Sequence, residues 1–176
     1  EVNPVGEILP VSGSREGLFF AAIPAVGRKR VQGQPVILLV NPFYQAYLGA
    51  VYATGCEPVF LNATAETGHL PNLDALEREV DLLARTVALY LCSPANPQGA
   101  VADAAYIRQA LALARRHDFM LFFDECYSEI YTREPPVGAL ALALETPERF
   151  KNLVVFNSLS KRSNLPGMRS GFVAGD

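Results

Sequence analysis

The sequence predicts an α/β domain, a mostly parallel sheet with helices on both faces. Three observations predict it. Six short runs are almost continuously apolar, helix-period patterns separate most of them, and unusual polar residues collect just after four of the runs. Strands covered on both faces lose the polar alternation of a half-exposed sheet, and strand–helix alternation leads to parallel pairing.

The elements follow in order. Ser14–Val26 has helical character, and Pro24 is expected to break or bend it because its ring carries no amide hydrogen. Val36–Val40 reads as the first strong strand, and Tyr44–Thr54 as a helix closed by Gly55. Pro58–Leu61 is a second strand. Asn72 then caps a helix over Leu73–Ala84, whose Leu73, Leu76, Val80 and Leu83 repeat at helical spacing. After the strand Val87–Cys92, Asp103 caps a helix over Ala104–His117 that buries Ile107, Leu111 and Ala114. Arg115, Arg116 and His117 sit at its C-terminus, where positive charge opposes the helix dipole. Phe119–Phe123 and Leu153–Phe156 are further strands, and Gly171–Ala174 is a last one with nothing after it to cover it.

The chain has 176 residues and a formal net charge of −3, is half hydrophobic, and is 19% charged. That length holds one domain with a sizeable core, and the composition excludes a disordered or fibrous chain. No apolar run approaches the ~18 residues of a membrane span. The basic residues are scattered, so nucleic acid is not an expected partner. Cys56, Cys92 and Cys126 are odd in number and widely spaced, as in reduced intracellular thiols. No leader-like segment precedes the first strand-like segment, so a cytoplasmic location is expected. His69 and His117 have no companion ligand at useful spacing, and no metal is expected. The start at Glu1 and the uncovered last strand suggest one domain over residues 1–176, cut from something larger.

In open parallel sheets, ligands bind beyond the carboxyl ends of the strands. Asn41-Pro-Phe-Tyr44, Ser93-Pro-Ala-Asn-Pro-Gln-Gly99, Asp124-Glu-Cys-Tyr127 and Ser158-Leu-Ser-Lys161 all fall there. Asp124 ends a buried run, where a carboxylate needs a role: a helix cap, a salt bridge to a neighbouring helix, or a cationic ring nitrogen to face. Lys161 is either a solvated charge or, near apolar surface and a second positive group, an amine able to form an imine with an aldehyde. Ser12-Gly-Ser-Arg-Glu-Gly17 opens a helix, either as a plain cap or as an anion cradle that Gly13 lets the backbone approach. Arg169 could add a bidentate guanidinium to the same anion. Tyr44 and Tyr127 are core residues, or a stacking face and a phenolic hydrogen bond. Asn96 is a turn residue, or an amide donor to a phenolate or carboxylate. Cys92 and Cys126 read as packing thiols near the site, and Glu125 and Glu129 are either solvated or close to a polar substrate.

Taken in order, these segments resemble the large domain of the pyridoxal-phosphate aminotransferases of the aspartate aminotransferase superfamily. Ser12–Leu18, Asn41–Tyr44, Ser93–Gly99, Asp124–Tyr127 and Ser158–Arg169 carry the resemblance, with Asn96, Asp124, Lys161 and Arg169 separated by 28, 37 and 8 residues. It implies pyridoxal 5′-phosphate as cofactor. Lys161 is then similar to the lysine that holds the cofactor and shuttles the substrate proton, and Asp124 to the partner of the pyridinium nitrogen, which makes the ring an electron sink. Tyr127 and Asn96 resemble the pair bonded to the 3′ oxygen, and Tyr44 the aromatic stacked on the ring. Gly13, Ser14, Arg15, Ser158, Ser160 and Arg169 resemble the phosphate cradle, Arg15 through its backbone amide.

Asp124–Tyr131 and Ser158–Asp176 most resemble the N-succinyldiaminopimelate aminotransferases. That resemblance implies amino exchange with the glutamate/2-oxoglutarate pair in lysine biosynthesis, amino-acid and 2-oxo-acid substrates, and a homodimer. The family's N-terminal segment and its small domain, with the arginine that grips the substrate carboxylate, have no counterpart in these residues. Another aminotransferase, a β-lyase acting through the same cofactor, and a non-catalytic module of a regulator are the alternatives.

Overall fold

The computed structural model describes residues 1–176. Seven strands form one sheet: β1 (Ile8–Val11), β2 (Val36–Asn41), β3 (Glu57–Asn62), β4 (Thr86–Cys92), β5 (Met120–Asp124), β6 (Leu153–Ser158) and β7 (Gly171–Gly175). Their order is β1-β7-β6-β5-β4-β2-β3. Strands β2 to β6 pair in parallel, while β7 runs antiparallel to both of its neighbours.

Alternate residues of the central strands feed two cores. On one face, Leu38, Leu89, Leu91, Leu121, Phe123, Leu153 and Val155 belong to a cluster of 24 buried residues. It is covered by α4 (Leu73–Glu77), α5 (Val80–Arg85), α6 (Ala104–His117) and α7 (Ala139–Ala143). On the other, Ile37, Leu39, Tyr90, Phe122 and Phe156 join a cluster of 16, beneath α1 (Ser14–Phe20), α2 (Ala22–Arg28) and α3 (Gln45–Ala53). Period-2 side-chain alternation explains why strands apolar on both sides separate two helical layers.

Several expectations change in detail. The last strand is not left uncovered: β1 pairs along it, Ile8 opposite Ala174 and Val11 opposite Gly171. Residues 8–11 carry little strand signal because this edge strand is four residues long and contains Pro10, a residue that edges tolerate. The helix expected over 14–26 is two, α1 and α2, meeting at Ala21. Pro24 stands at the third position of α2, where a missing amide hydrogen costs little. The helix expected over 73–84 is also two, because Glu79 leaves helical geometry at ψ 62°. The break turns Val80 to solvent, 62% exposed, while Leu73, Leu76 and Leu83 stay buried. Both caps form: Asn72 accepts from the Ala75 amide and Asp103 from the Tyr106 amide, at 2.9 and 2.8 Å.

Lys29, just past α2, ties three elements together. Its ammonium donates to the carbonyls of Leu83, Thr86 and His117 at 3.0, 3.0 and 2.7 Å, joining the C-terminal ends of α5 and α6 to the start of β4. A cation there also meets the negative poles of two helices. Lys29→Met keeps the apolar stem and removes every donor. Urea unfolding is expected to show a loss of about 2–3 kcal/mol.

Candidate functional site

The carboxyl ends of β2, β4, β5 and β6 and the N-terminus of α1 enclose one cavity of about 240 Å³. Ser14, Arg15, Tyr44, Asn96, Asp124, Tyr127, Ser158, Ser160, Lys161 and Arg169 line it, together with Leu18, Tyr47, Cys92, Cys126 and Pro166. Gly13 does not line it but lies against Arg169. Five segments spread over 158 residues of chain thus converge because parallel strands all point their C-termini the same way.

Asp124, the last residue of β5, is only 4% exposed. Its Oδ1 accepts the Cys126 amide at 3.0 Å, and its Oδ2 accepts the Tyr47 hydroxyl at 2.6 Å. Burial pushes its pKa up, and hydrogen bonds from the Cys126 side chain, the Tyr47 hydroxyl and the Cys126 amide pull it back down. The neighbouring thiols of Cys92 and Cys126 are pushed up, first by burial and then by the charge of Asp124, so both are neutral. Cys126 Sγ lies 2.9 Å from Ser14 Oγ.

The amide of Asn96 donates to the Tyr127 oxygen at 3.3 Å, leaving the phenolic proton of Tyr127 free to donate. Tyr44 accepts from Arg15 Nε at 2.8 Å, so the Arg15 side chain has a contact of its own besides the backbone amide expected to matter. Tyr44 meets Tyr47 edge-on, with ring centroids 5.7 Å apart.

At the other end, Gly13 adopts φ +93°, a region that suits glycine. A Cβ there would fall 2.8 Å from the Arg169 Cζ. The Arg169 guanidinium fills that space, donating to Glu16 at 3.0 Å and to the Ser12 carbonyl at 3.3 Å. Ser158 accepts the Ser160 amide at 3.1 Å and caps α8 (Leu159–Arg162). Lys161 therefore sits in a single helical turn rather than in the loop expected from sequence. The serine that reads as an anion ligand also serves as the helix cap that sequence rules favour.

Glu129 is solvated, as one of its two readings had it, and Glu125 fits neither reading. Glu129 lies 3.7 Å from Arg162, and Glu125 turns away from the cavity to accept the Ala139 amide at the start of α7, at 2.8 Å. Burial, opposed by that amide, pushes the Glu125 carboxyl up to about 7. A folded pKa above the unfolded value of 4.5 contributes stability that is complete below 4.5 and lost as pH rises through 7. Glu125→Gln keeps the acceptor without titrating, so between about pH 5 and pH 8 it should gain roughly 2–3 kcal/mol on the wild type in urea unfolding.

Leu18, Tyr47 and Pro166 were not anticipated. Tyr47 could have been found, since it stands one helical turn after Tyr44 and so points to the same side of α3. No group of three or more potential metal ligands occurs, and no helix is long and apolar enough to cross a membrane.

The sequence model of the family described as "Aminotransferase class I and II" matches residues 1–176. The chain belongs to that family. These aminotransferases depend on pyridoxal phosphate. A solved aminotransferase from Neisseria meningitidis superposes with TM-score 0.87 and 41% identity, covering 99% of this chain and 44% of that one. A probable N-succinyldiaminopimelate aminotransferase from Thermus thermophilus superposes with TM-score 0.81 and 29% identity, at 99% and 44% coverage. The LL-diaminopimelate aminotransferase of Syntrophobacter fumaroxidans is 30% identical over all of this chain and 43% of its own length. The chain thus spans less than half the length of the curated relatives it matches.

The side chains fit an aminotransferase cofactor chemically. A buried carboxylate with both oxygens already donated to faces one part of the cavity. The backbone amides at the start of α1, the serine hydroxyls and the Arg169 guanidinium are donors that suit a phosphate, which would compete with Glu16 for Arg169.

Proposed function

We propose that the protein is a pyridoxal-phosphate-dependent aminotransferase that takes its amino group from glutamate and passes it to a diaminopimelate-type oxo acid, N-succinylated in the favoured case. The observation that carries this reading is that Asp124, Lys161 and Arg169 line one cavity, with Gly13 packed against Arg169. The whole protein's turnover, its amino-acid and 2-oxo-acid substrates, a homodimer and a cytoplasmic location form part of the same proposal.

When bound, the cofactor supplies an aldehyde carbon and an electron-withdrawing ring. Lys161 Nζ would be the nucleophile toward that aldehyde and the base for the proton of the substrate α-carbon. Asp124 would accept the ring N–H, Tyr127 and Asn96 would donate to the phenolic oxygen, and Tyr44 would offer its ring to the aromatic face. Ser14, Ser158, Ser160 and Arg169, with the backbone amides of Gly13 and Arg15, would hold the phosphate. Over a full cycle the amino group and one carbonyl oxygen exchange between two acids, with no net oxidation.

The diaminopimelate assignment draws on the Thermus structure and the Syntrophobacter protein, whose names carry that substrate. The test is to supply pyridoxal phosphate and glutamate with the N-succinylated 2-amino-6-oxopimelate acceptor and measure 2-oxoglutarate. Preference for this acceptor over the unsuccinylated one, pyruvate and oxaloacetate is expected. Preferential elimination from cystathionine would replace the reading with a lyase, and no turnover in the cofactor-loaded protein would leave only a binding module.

A further inference from the structure

Asp124 reaches no positively charged side chain by hydrogen bond or ion pair; its donors are a phenol and the amide and thiol of Cys126. The phenol belongs to Tyr47, 3% exposed on α3, whose ring stacks on Tyr90 with centroids 4.6 Å apart and planes 13° apart. Tyr90 in turn donates to the Leu18 carbonyl on α1 at 2.6 Å. Tyr47 is therefore fixed from behind by a stacked ring that is itself anchored. Its hydroxyl donates to Asp124 Oδ2 along a short bond, with the Cys92 thiol beside it.

We propose that Tyr47 is a positioning residue that acts through Asp124, keeping the carboxylate ionised and oriented toward the ring nitrogen of the cofactor. The inference rests on the aminotransferase reading above. A neutral donor has a particular merit here. It stabilises the anion without neutralising it, so the full negative charge remains for the incoming cation. Burial and the Asp124 charge both push the Tyr47 phenol well up, so it remains protonated and cannot become a competing anion.

The groups around Asp124 act in both directions. The Cys126 side chain, Tyr47 from α3 and the Cys126 amide favour its charge, while Cys92 on β4, Tyr127 after β5 and Glu125 beside it offer no cation. Lys161 from α8, Arg15 from α1 and Arg169 are the cationic side chains lining the same cavity; Arg15 is bonded to Tyr44 and Arg169 to Glu16, and none of the three bonds to Asp124. Removing the phenol thus takes away one of three supports of the charge, the other two being the thiol and the amide of Cys126.

The test is carboxyl-carbon NMR of the unliganded protein, with the Asp124 resonance assigned by its loss in Asp124→Asn. Tyr47→Phe is expected to raise the Asp124 midpoint by about one to two pH units, and Tyr90→Phe to leave it in place. In the cofactor-loaded protein, Tyr47→Phe should lower kcat about tenfold with KM little changed. An unmoved midpoint in a folded Tyr47→Phe, or an equal shift in Tyr90→Phe, overturns the proposal, the second by showing a packing effect. If Tyr47→Phe fails to fold, the wild type decides: its Tyr47 hydroxyl proton should exchange slowly and shift as Asp124 titrates, and absence of that signal overturns the proposal. A wild type that does not bind pyridoxal phosphate defeats the aminotransferase reading instead, and the NMR midpoint still reports on Tyr47.

Discussion

Lys161→Ala should abolish amino transfer, with a loss in kcat of about 10⁴-fold or more, while the protein stays folded. The amine is assigned two tasks, covalent attachment and proton transfer at the substrate α-carbon, and general base catalysis alone is worth about 10²–10⁴-fold. No other amine can take over. The sequence contains three lysines, Lys29, Lys151 and Lys161. Lys29 is committed to three backbone carbonyls, and of the three only Lys161 lines the cavity. Its side chain makes no hydrogen bond within the protein and is exposed on the short α8, so truncation should leave the unfolding midpoint within about 0.5 kcal/mol of the wild type. Single-turnover kinetics and urea unfolding on the same preparation check both parts.

Asp124→Asn should separate activity from stability in the opposite sense to most core substitutions. Asparagine keeps the shape and an oxygen for the Cys126 amide, but carries no charge to match a cationic ring nitrogen. A loss in kcat of about 10²–10³-fold is expected, the scale of removing one electrostatic contact in a water-poor site. Burial already disfavours the ionised carboxyl, so the neutral amide should be as stable as the wild type or more so. Activity loss with an unchanged or raised unfolding midpoint is the expected pattern. A parallel loss of both would point to a structural carboxylate.

Much of this was legible in the sequence, for identifiable reasons. Strands such as Val87–Cys92 announce themselves because burial on both faces leaves no place for polar residues. Asp103 and Asn72 mark helix starts through hydrogen bonds that depend on local sequence alone. The edge positions after each strand pointed to the cavity because parallel topology dictates where strands end. What remained hidden depended on partners distant in sequence. Strand β1 is recognisable only through its pairing with β7, 160 residues away. Tyr47 looks like a core aromatic until Asp124, 77 residues on, is placed against its hydroxyl. Glu125 looks solvated until α7 returns to offer it the Ala139 amide. The break at Glu79, which turns Val80 outward, follows from no turn residue or proline.

The most direct test of the shared cavity is to saturate the protein with pyridoxal phosphate, reduce it with borohydride and map the added mass by peptide sequencing. One modified peptide is expected, with the label on Lys161, and none in Lys161→Ala. Label on Lys29 or Lys151, or no label at saturating cofactor, would contradict the account.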